Sequence, residues 1–91
     1  MDMTPEEARV VQKVEHYLRG IDFHNIVGML SGGISNDLRF AGVDQKVSVK
    51  LSHRLVALID VQYLEGTRQK LHDLANNQSL LLDLVRASMM A

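Results

Sequence analysis

Apolar residues recur at helical spacing through the first twenty residues of the chain. They share one face of a helix and leave the charged residues on the other, and they are Val10, Val11, Val14, Tyr17 and Leu18. Thr4 is a favourable N-cap, Pro5 suits the first helical position, and Glu7 completes a capping box with Thr4. Gly20 is suited to end the helix in the left-handed conformation. The pattern predicts an amphipathic helix between Thr4 and Gly20.

A second, shorter helix is predicted after Asp22, which can cap it. Its apolar stripe consists of Phe23, Ile26, Val27 and Leu30. Gly28 lowers the helix propensity by about 1 kcal/mol relative to alanine, which suggests close packing against a neighbouring element. A Ser-Gly-Gly triplet at 31–33 should end this helix.

Residues 34–51 support two interpretations. A Ser-Asn-Asp triplet at 35–37 is suited to cap a short helical turn that ends at Gly42. Apolar and polar residues also alternate here, which favours a β-hairpin at about 37–51. An isolated hairpin is only marginally stable, and the chain offers no third strand. Helix or irregular structure is therefore preferred, with an α+β fold as the alternative.

The chain becomes strongly helical from Ser48. Few polar residues interrupt positions 55–64, which predicts that this stretch is the central and most buried helix. Gly66 as a C-cap and Thr67 as an N-cap predict either a break or a kink before the next helix. After a turn at 76–79, capped by Ser79, the last helix should run from Leu80 to about Met89.

These elements predict an all-α fold of four to five short helices, orthogonal or bundle-like, in a single domain over residues 1–91. A chain of this length forms one domain at most and buries roughly 60–70% of its unfolded surface. The hydrophobic fraction of 46% is close to ordinary globular usage. We therefore expect a folded chain with one modest core.

Composition excludes several classes of function. The chain has no cysteine, which rules out disulfides, thiolate zinc sites and thiol catalysis. No apolar run approaches the roughly 20 residues of a membrane-spanning helix, and the N-terminus lacks the pattern of a signal peptide. The expected location is the cytoplasm, without a membrane partner and without a cofactor.

Charge argues against a nucleic-acid partner. Ten basic and eleven acidic residues give a net charge of −1, and the basic residues are spread along the chain. A helix-turn-helix over residues 12–30 would offer only His24 and Asn25 for reading bases, without arginine or lysine. We therefore do not expect nucleic-acid binding, and a DNA-associated transcriptional regulator is the alternative function.

The four histidines, at 16, 24, 53 and 72, do not have the spacing of a metal site. The run Leu51-Ser52-His53-Arg54-Leu55 resembles the phosphoacceptor region of histidine-kinase dimerisation domains, where an exposed histidine on a bundle helix takes a phosphoryl group. The resemblance covers these five residues, and Arg54 stands where an acidic residue commonly follows. It implies a phosphoacceptor domain, the less favoured alternative, because the chain has no room for an ATP-binding motif.

No residue pattern predicts catalysis. Ser52 and His53 are neighbours on a helix and point about 100° apart, so their spacing does not form a hydrogen-bonded dyad. Pairs of carboxylates at Asp60 and Glu65, and at Asp73 and Asp83, are typical of solvated helix faces. We therefore expect that the protein is not an enzyme.

The C-terminal helix is apolar on nearly every side, and a helix of this kind must be covered all round. The predicted interface residues are Leu80, Leu81, Leu82, Leu84, Val85 and Met89. Small monomers seldom expose large apolar patches, which favours self-association through the C-terminal helices as a homodimer. The expected function is a small non-catalytic regulatory or adaptor protein, of the anti-activator or co-chaperone type, that acts by protein–protein interaction.

Overall fold

The computed structural model describes residues 2–90. Within this range the chain is helical and contains no strand, which confirms the all-α prediction. The five helices of seven or more residues are α1 (Pro5–Arg19), α2 (Ile34–Phe40), α3 (Gln45–Val56), α4 (Leu64–Ala75) and α5 (Gln78–Met89). Residues 34–40 and 45–56 are thus helical, where the alternative interpretation places a hairpin.

Helix α1 begins as the sequence predicts. The Glu7 amide donates to the Thr4 hydroxyl at 3.1 Å, and the Thr4 amide donates to the Glu7 carboxylate at 2.9 Å. Pro5 occupies the first turn. The C-terminus differs from the prediction, because Gly20 has φ −108° and is not left-handed. Its amide instead donates to the Tyr17 carbonyl and closes the last turn.

The prediction of a continuous second helix is wrong. Asp22 caps a 3₁₀ turn over Phe23–Asn25, one helical turn follows at Ile26–Gly28, and a widened π-type turn spans Met29–Gly33. The Asn25 side chain accepts from the Gly28 amide at 3.2 Å, so it competes with a continuous helix for backbone hydrogen bonds. The close approach expected at Gly28 is made by this same side chain, not by a neighbouring helix.

The predicted stripe of that helix is correct for Phe23 and Ile26, which are partly buried and pack against the core, and wrong for its other two residues. Val27 is 71% exposed and Leu30 is 41% exposed, while Met29 is buried. The change of direction occurs at Gly32, whose φ of +101° is available to glycine without strain. This kink turns Leu30 outward and leads the chain into α2.

The break between α3 and α4 lies at residues 57–63, not at Gly66 and Thr67. Helix α3 starts earlier than Ser48, because Asp44 accepts from the Lys46 amide at 3.0 Å and so caps the helix. The stretch predicted to be most buried contains Val61 and Tyr63, which are both highly exposed. The helical pattern of apolar residues continues across the break, but the helix does not.

Asp60 and Thr67 together explain the position of the break. The Asp60 carboxylate accepts from the Gln62 amide at 2.9 Å, which is a local turn that interrupts a helix. Thr67 is buried inside α4, and its hydroxyl accepts from the Asp60 amide at 2.8 Å. Thr67 therefore fastens the loop to α4 and does not cap the helix.

Helix α5 lies against α1, α3 and α4. It is capped by Asn77, which accepts from the Leu80 amide at 3.1 Å, so the predicted cap at Ser79 is displaced by two residues. The largest side chains of the core are Ile34, Leu38, Leu51, Leu55, Leu71, Leu81 and Leu82. In residues 2–90, no helix combines the length and the apolar character needed to cross a membrane.

An ion pair joins the two ends of the described chain. The Arg86 guanidinium on α5 lies 2.8 Å from the Glu7 carboxylate on α1. This contact and the hydrogen bond from Thr4 hold the pKa of Glu7 below its usual value of about 4.5. A carboxyl group with a lowered pKa stabilises the fold above its unfolded pKa, and that stabilisation is lost as the pH falls through the folded pKa.

We expect Glu7→Gln to have a lower Tm than the parent protein at neutral pH. The difference should shrink once the pH falls below about 4, where the parent carboxyl also becomes neutral. Thermal melts followed by circular dichroism over a pH series measure both curves. Glu6→Gln, at the exposed neighbouring position, is the control and should follow the parent curve. A Tm difference that is constant with pH would contradict this assignment.

Candidate functional site

A groove lies over α5 because α3 and α4 both pack on this helix but make few contacts with each other. We call it the α5 groove, and its volume is about 570 Å³. Its lining is mainly apolar and includes Leu58, Leu74, Leu80, Leu84 and Ala87. The lining residues span about two helical turns of α5, or roughly 10 Å, from Leu80 to Ala87. On α4 they span about one turn, or roughly 6 Å, from Lys70 to Leu74. The groove therefore has the length to receive a short helical segment.

The predicted interface residues of α5 separate into two groups. Leu81, Leu82 and Val85 are at most 2% exposed and belong to the core of this chain, so they are not available to a partner. Met89 is partly buried and packs against that core. The remaining two, Leu80 and Leu84, line the α5 groove, and Leu80 is 54% exposed.

Two further apolar residues of the groove were not predicted as surface residues. Leu58 and Leu74 have helical spacing with core leucines, and the sequence therefore placed both in the interior. The break at 57–63 moves Leu58 out of the predicted central helix, and Leu74 lies at the edge of the core face of α4. Only the arrangement of the helices brings both residues to the groove.

The rim of the groove carries two positive and two negative side chains. They are Arg54, Lys70, Asp73 and Asp83. Within residues 2–90 none of the four forms an ion pair, although Asp73 accepts a hydrogen bond from Gln69 at 2.9 Å. Exposed, unpaired charges beside an apolar floor are able to orient a bound chain.

The polar residues that the sequence singled out do not converge on a reactive centre. Residues 2–90 contain no group of three or more potential ligands arranged to hold a metal ion. His53 is exposed on α3, and Ser52 beside it is buried. Burial, with a contribution from nearby Asp37, raises the pKa of Tyr17 far above its usual range, so its hydroxyl remains protonated.

The helix-turn-helix considered for residues 12–30 is not formed. Helix α1 ends at Arg19, and the second helix of that motif is replaced by the short turns between Phe23 and Gly33. The segment therefore offers no continuous helix to the major groove of a duplex.

Comparison with known proteins finds no matching family model, no matching curated protein and no matching solved structure.

Proposed function

We propose that the protein is a small, non-catalytic regulatory or adaptor domain that acts by binding other protein chains, and that it forms a two-fold dimer through the α5 groove. The observation that carries the proposal is the apolar groove itself, with Leu80 half exposed at its edge. Exposed apolar surface of this kind is typical of protein-binding sites. The absence of cysteine from the chain is in keeping with a cytoplasmic location.

The charges on the rim favour a second copy of the chain as the occupant. Two cations and two anions surround the groove, so its rim has no net charge and can complement an identical rim. In a two-fold dimer every contact occurs twice, which would allow Lys70 of each copy to pair with Asp83 of the other. The Leu80 side chain of each copy would then enter the groove of its partner.

The expected dimer is weak and reversible. Burying one fully exposed leucine contributes roughly 1.5–3 kcal/mol. Leu80 is 54% exposed and Leu84 is already partly buried against the core, so these two residues of two copies supply less than about 6 kcal/mol. Association is opposed by an estimated 4–15 kcal/mol of lost freedom and side-chain ordering. We therefore expect a Kd of about micromolar or weaker, not nanomolar.

Sedimentation over a range of about micromolar to millimolar protein tests this proposal. The parent protein should shift from monomer to dimer, and Leu80→Asp should remain monomeric because a carboxylate would be buried in the partner groove. Val61→Asp is the matched control, since Val61 is 56% exposed but lies outside the groove. It should dimerise like the parent protein.

A charge-swap experiment identifies the surface more sharply. Lys70→Asp alone should weaken the dimer, and Asp83→Lys in the same chain should restore it. A parent protein that is monomeric at every concentration would refute the dimer. A Val61→Asp variant that is as monomeric as Leu80→Asp would show that the dimer does not use the groove.

A further inference from the structure

A second depression lies between α3 and the kinked segment that leads into α2. We call it the α2–α3 cleft; its volume is about 530 Å³, and it shares no lining residue with the α5 groove. Leu30 and Val49 form apolar parts of its wall and are 41% and 39% exposed. Val56 is the third apolar residue of the lining, and the others are glycine or polar: Ser31, Gly32, Ser35, Asn36, Ser52 and His53.

The most exposed large apolar side chain of residues 2–90 adjoins this cleft. Phe40 is 91% exposed at the end of α2. It lies four residues after Asn36, and positions with this spacing are neighbours on a helix surface. Asn36 lines both the cleft and a shallower depression beside Arg39 and Phe40. The Phe40 ring therefore lies beside the cleft, with Asn36 between them.

The charge around the cleft has a single sign. Lys46 precedes Val49 by three positions on α3 and is therefore its neighbour on the helix surface, and no acidic residue occurs between Asp44 and Asp60. Arg39 adds a second cation on α2, beside Phe40. Neither cation forms an ion pair in the described part of the chain.

The two nearest acidic side chains are engaged elsewhere. Asp44 caps α3 through the amides of Lys46 and Val47. Asp37 lines a separate small cavity together with Tyr17, on another side of α2. The surface that a partner would meet at the cleft therefore combines three apolar side chains with small polar ones, and the cations Arg39 and Lys46 lie beside it.

We propose that the α2–α3 cleft, together with Phe40, is a docking surface for an acidic amphipathic helix of a partner protein. Leucine-like side chains of such a helix would fill the cleft, and its carboxylates would lie near Arg39 and Lys46. The surface is separate from the α5 groove, so a dimer would present two of these clefts.

Duplex DNA is a weaker candidate for the same surface. The connection Ala41–Asp44 has the length of a helix-turn-helix turn and contains Gly42, so α3 is the helix that would be presented to DNA. However, the Asp44 carboxylate would lie at the end of that helix and oppose nearby phosphates. In addition, the exposed apolar side chains of Leu30, Val49 and Phe40 would pack against apolar side chains of a protein, but not against a phosphate backbone.

The test uses the full chain and a fluorescent synthetic peptide of about four helical turns. The peptide has leucines at positions i, i+3, i+4 and i+7, with glutamates at most other positions; a second peptide carries lysine for glutamate, and a third has the acidic sequence scrambled. Fluorescence anisotropy should show that the acidic peptide binds about tenfold or more tightly than either control peptide. Its affinity should fall as salt is raised.

Variants locate the binding. Phe40→Ala and Lys46→Glu should each lower the affinity for the acidic peptide by about tenfold. Lys70→Glu, at the α5 groove, should leave this affinity unchanged. Phe40 and Lys46 are exposed, so circular dichroism of these variants should match that of the parent protein. The same titration in Leu80→Asp should give the parent affinity, which separates this proposal from the dimer.

Three results would overturn the proposal. The first is equal binding of the acidic and lysine peptides. The second is a loss of binding in Lys70→Glu as large as that in Lys46→Glu. The third is a random DNA duplex of about two helical turns that binds more tightly than the acidic peptide. The last result would assign the surface to nucleic acid instead.

Discussion

Replacing Leu81 by alanine should lower the free energy of unfolding by about 3–5 kcal/mol. Leu81 is fully buried where α5 packs in the core. Alanine removes the buried methyl groups and leaves a cavity that closely packed neighbours fill only in part. A domain of this size is stable by roughly 5–15 kcal/mol, so the loss is a large fraction of the total.

The adjacent leucine provides the matched control. Leu80 precedes Leu81 in the same helix and is 54% exposed, so Leu80→Ala should change the stability by no more than about 0.5 kcal/mol at a concentration where the protein is monomeric. Urea titrations of both variants, with the m-value compared to that of the parent, measure the two effects. Equal losses at both positions would contradict the division of α5 into a core face and a groove face.

Local chemistry was sufficient to predict α1. Thr4, Pro5 and Glu7 act together within one turn, and the apolar face then repeats without interruption from Val10 to Leu18, over about two and a half turns. Each of these signals is independent of the rest of the chain, and all agree. The same agreement between local signals explains why the all-helical fold class could be predicted from the sequence.

Two predicted helices proved to be interrupted, and both interruptions arose where side chains compete with the helical backbone. Asn25 accepts from the Gly28 amide, and Asp60 accepts from the Gln62 amide. Asparagine and aspartate are compatible with either a cap or a helix interior, so their type alone does not locate a break. The Asp60 loop is further held by Thr67, seven residues away, through a contact that no periodic pattern contains.

The division of the C-terminal leucines depended on tertiary structure. Leu80, Leu81, Leu82 and Leu84 are chemically alike, and their sequence shows only that several must be covered. Which of them face the core is decided by where α1, α3 and α4 meet α5. The shortage of contacts between α3 and α4, which opens the α5 groove, has no signal in either helix alone.

Different residues of α3 contribute to the core, to the proposed dimer surface and to the proposed docking surface. Its buried residues, including Leu51 and Leu55, hold it in the core, while Arg54 belongs to the rim of the α5 groove. Val49 and His53 belong instead to the α2–α3 cleft. One amphipathic helix thus contributes to the core and to two separate surfaces, and the geometry of the cleft depends on the kink that precedes α2.

The second large effect on stability is expected at Gly33, in the kinked segment that precedes α2. Its φ of −61° and ψ of −36° are helical, so the backbone conformation itself would accept alanine. A Cβ atom at this position would, however, lie 2.6 Å from the Gly28 carbonyl oxygen, which is much closer than van der Waals contact. Because the obstructing atom belongs to the backbone, the widened turn at 29–33 would have to rearrange.

We expect Gly33→Ala to lower the free energy of unfolding by about 2 kcal/mol, within the usual range for an overpacked site. This is opposite in sign to the gain of about 1 kcal/mol that alanine brings to an ordinary helix interior. Gly20→Ala is the control, since its Cβ would meet its nearest atom at an ordinary distance of 3.7 Å. Urea unfolding followed by circular dichroism measures both, and a Gly33→Ala variant more stable than the parent would show that a regular helix can replace the kink.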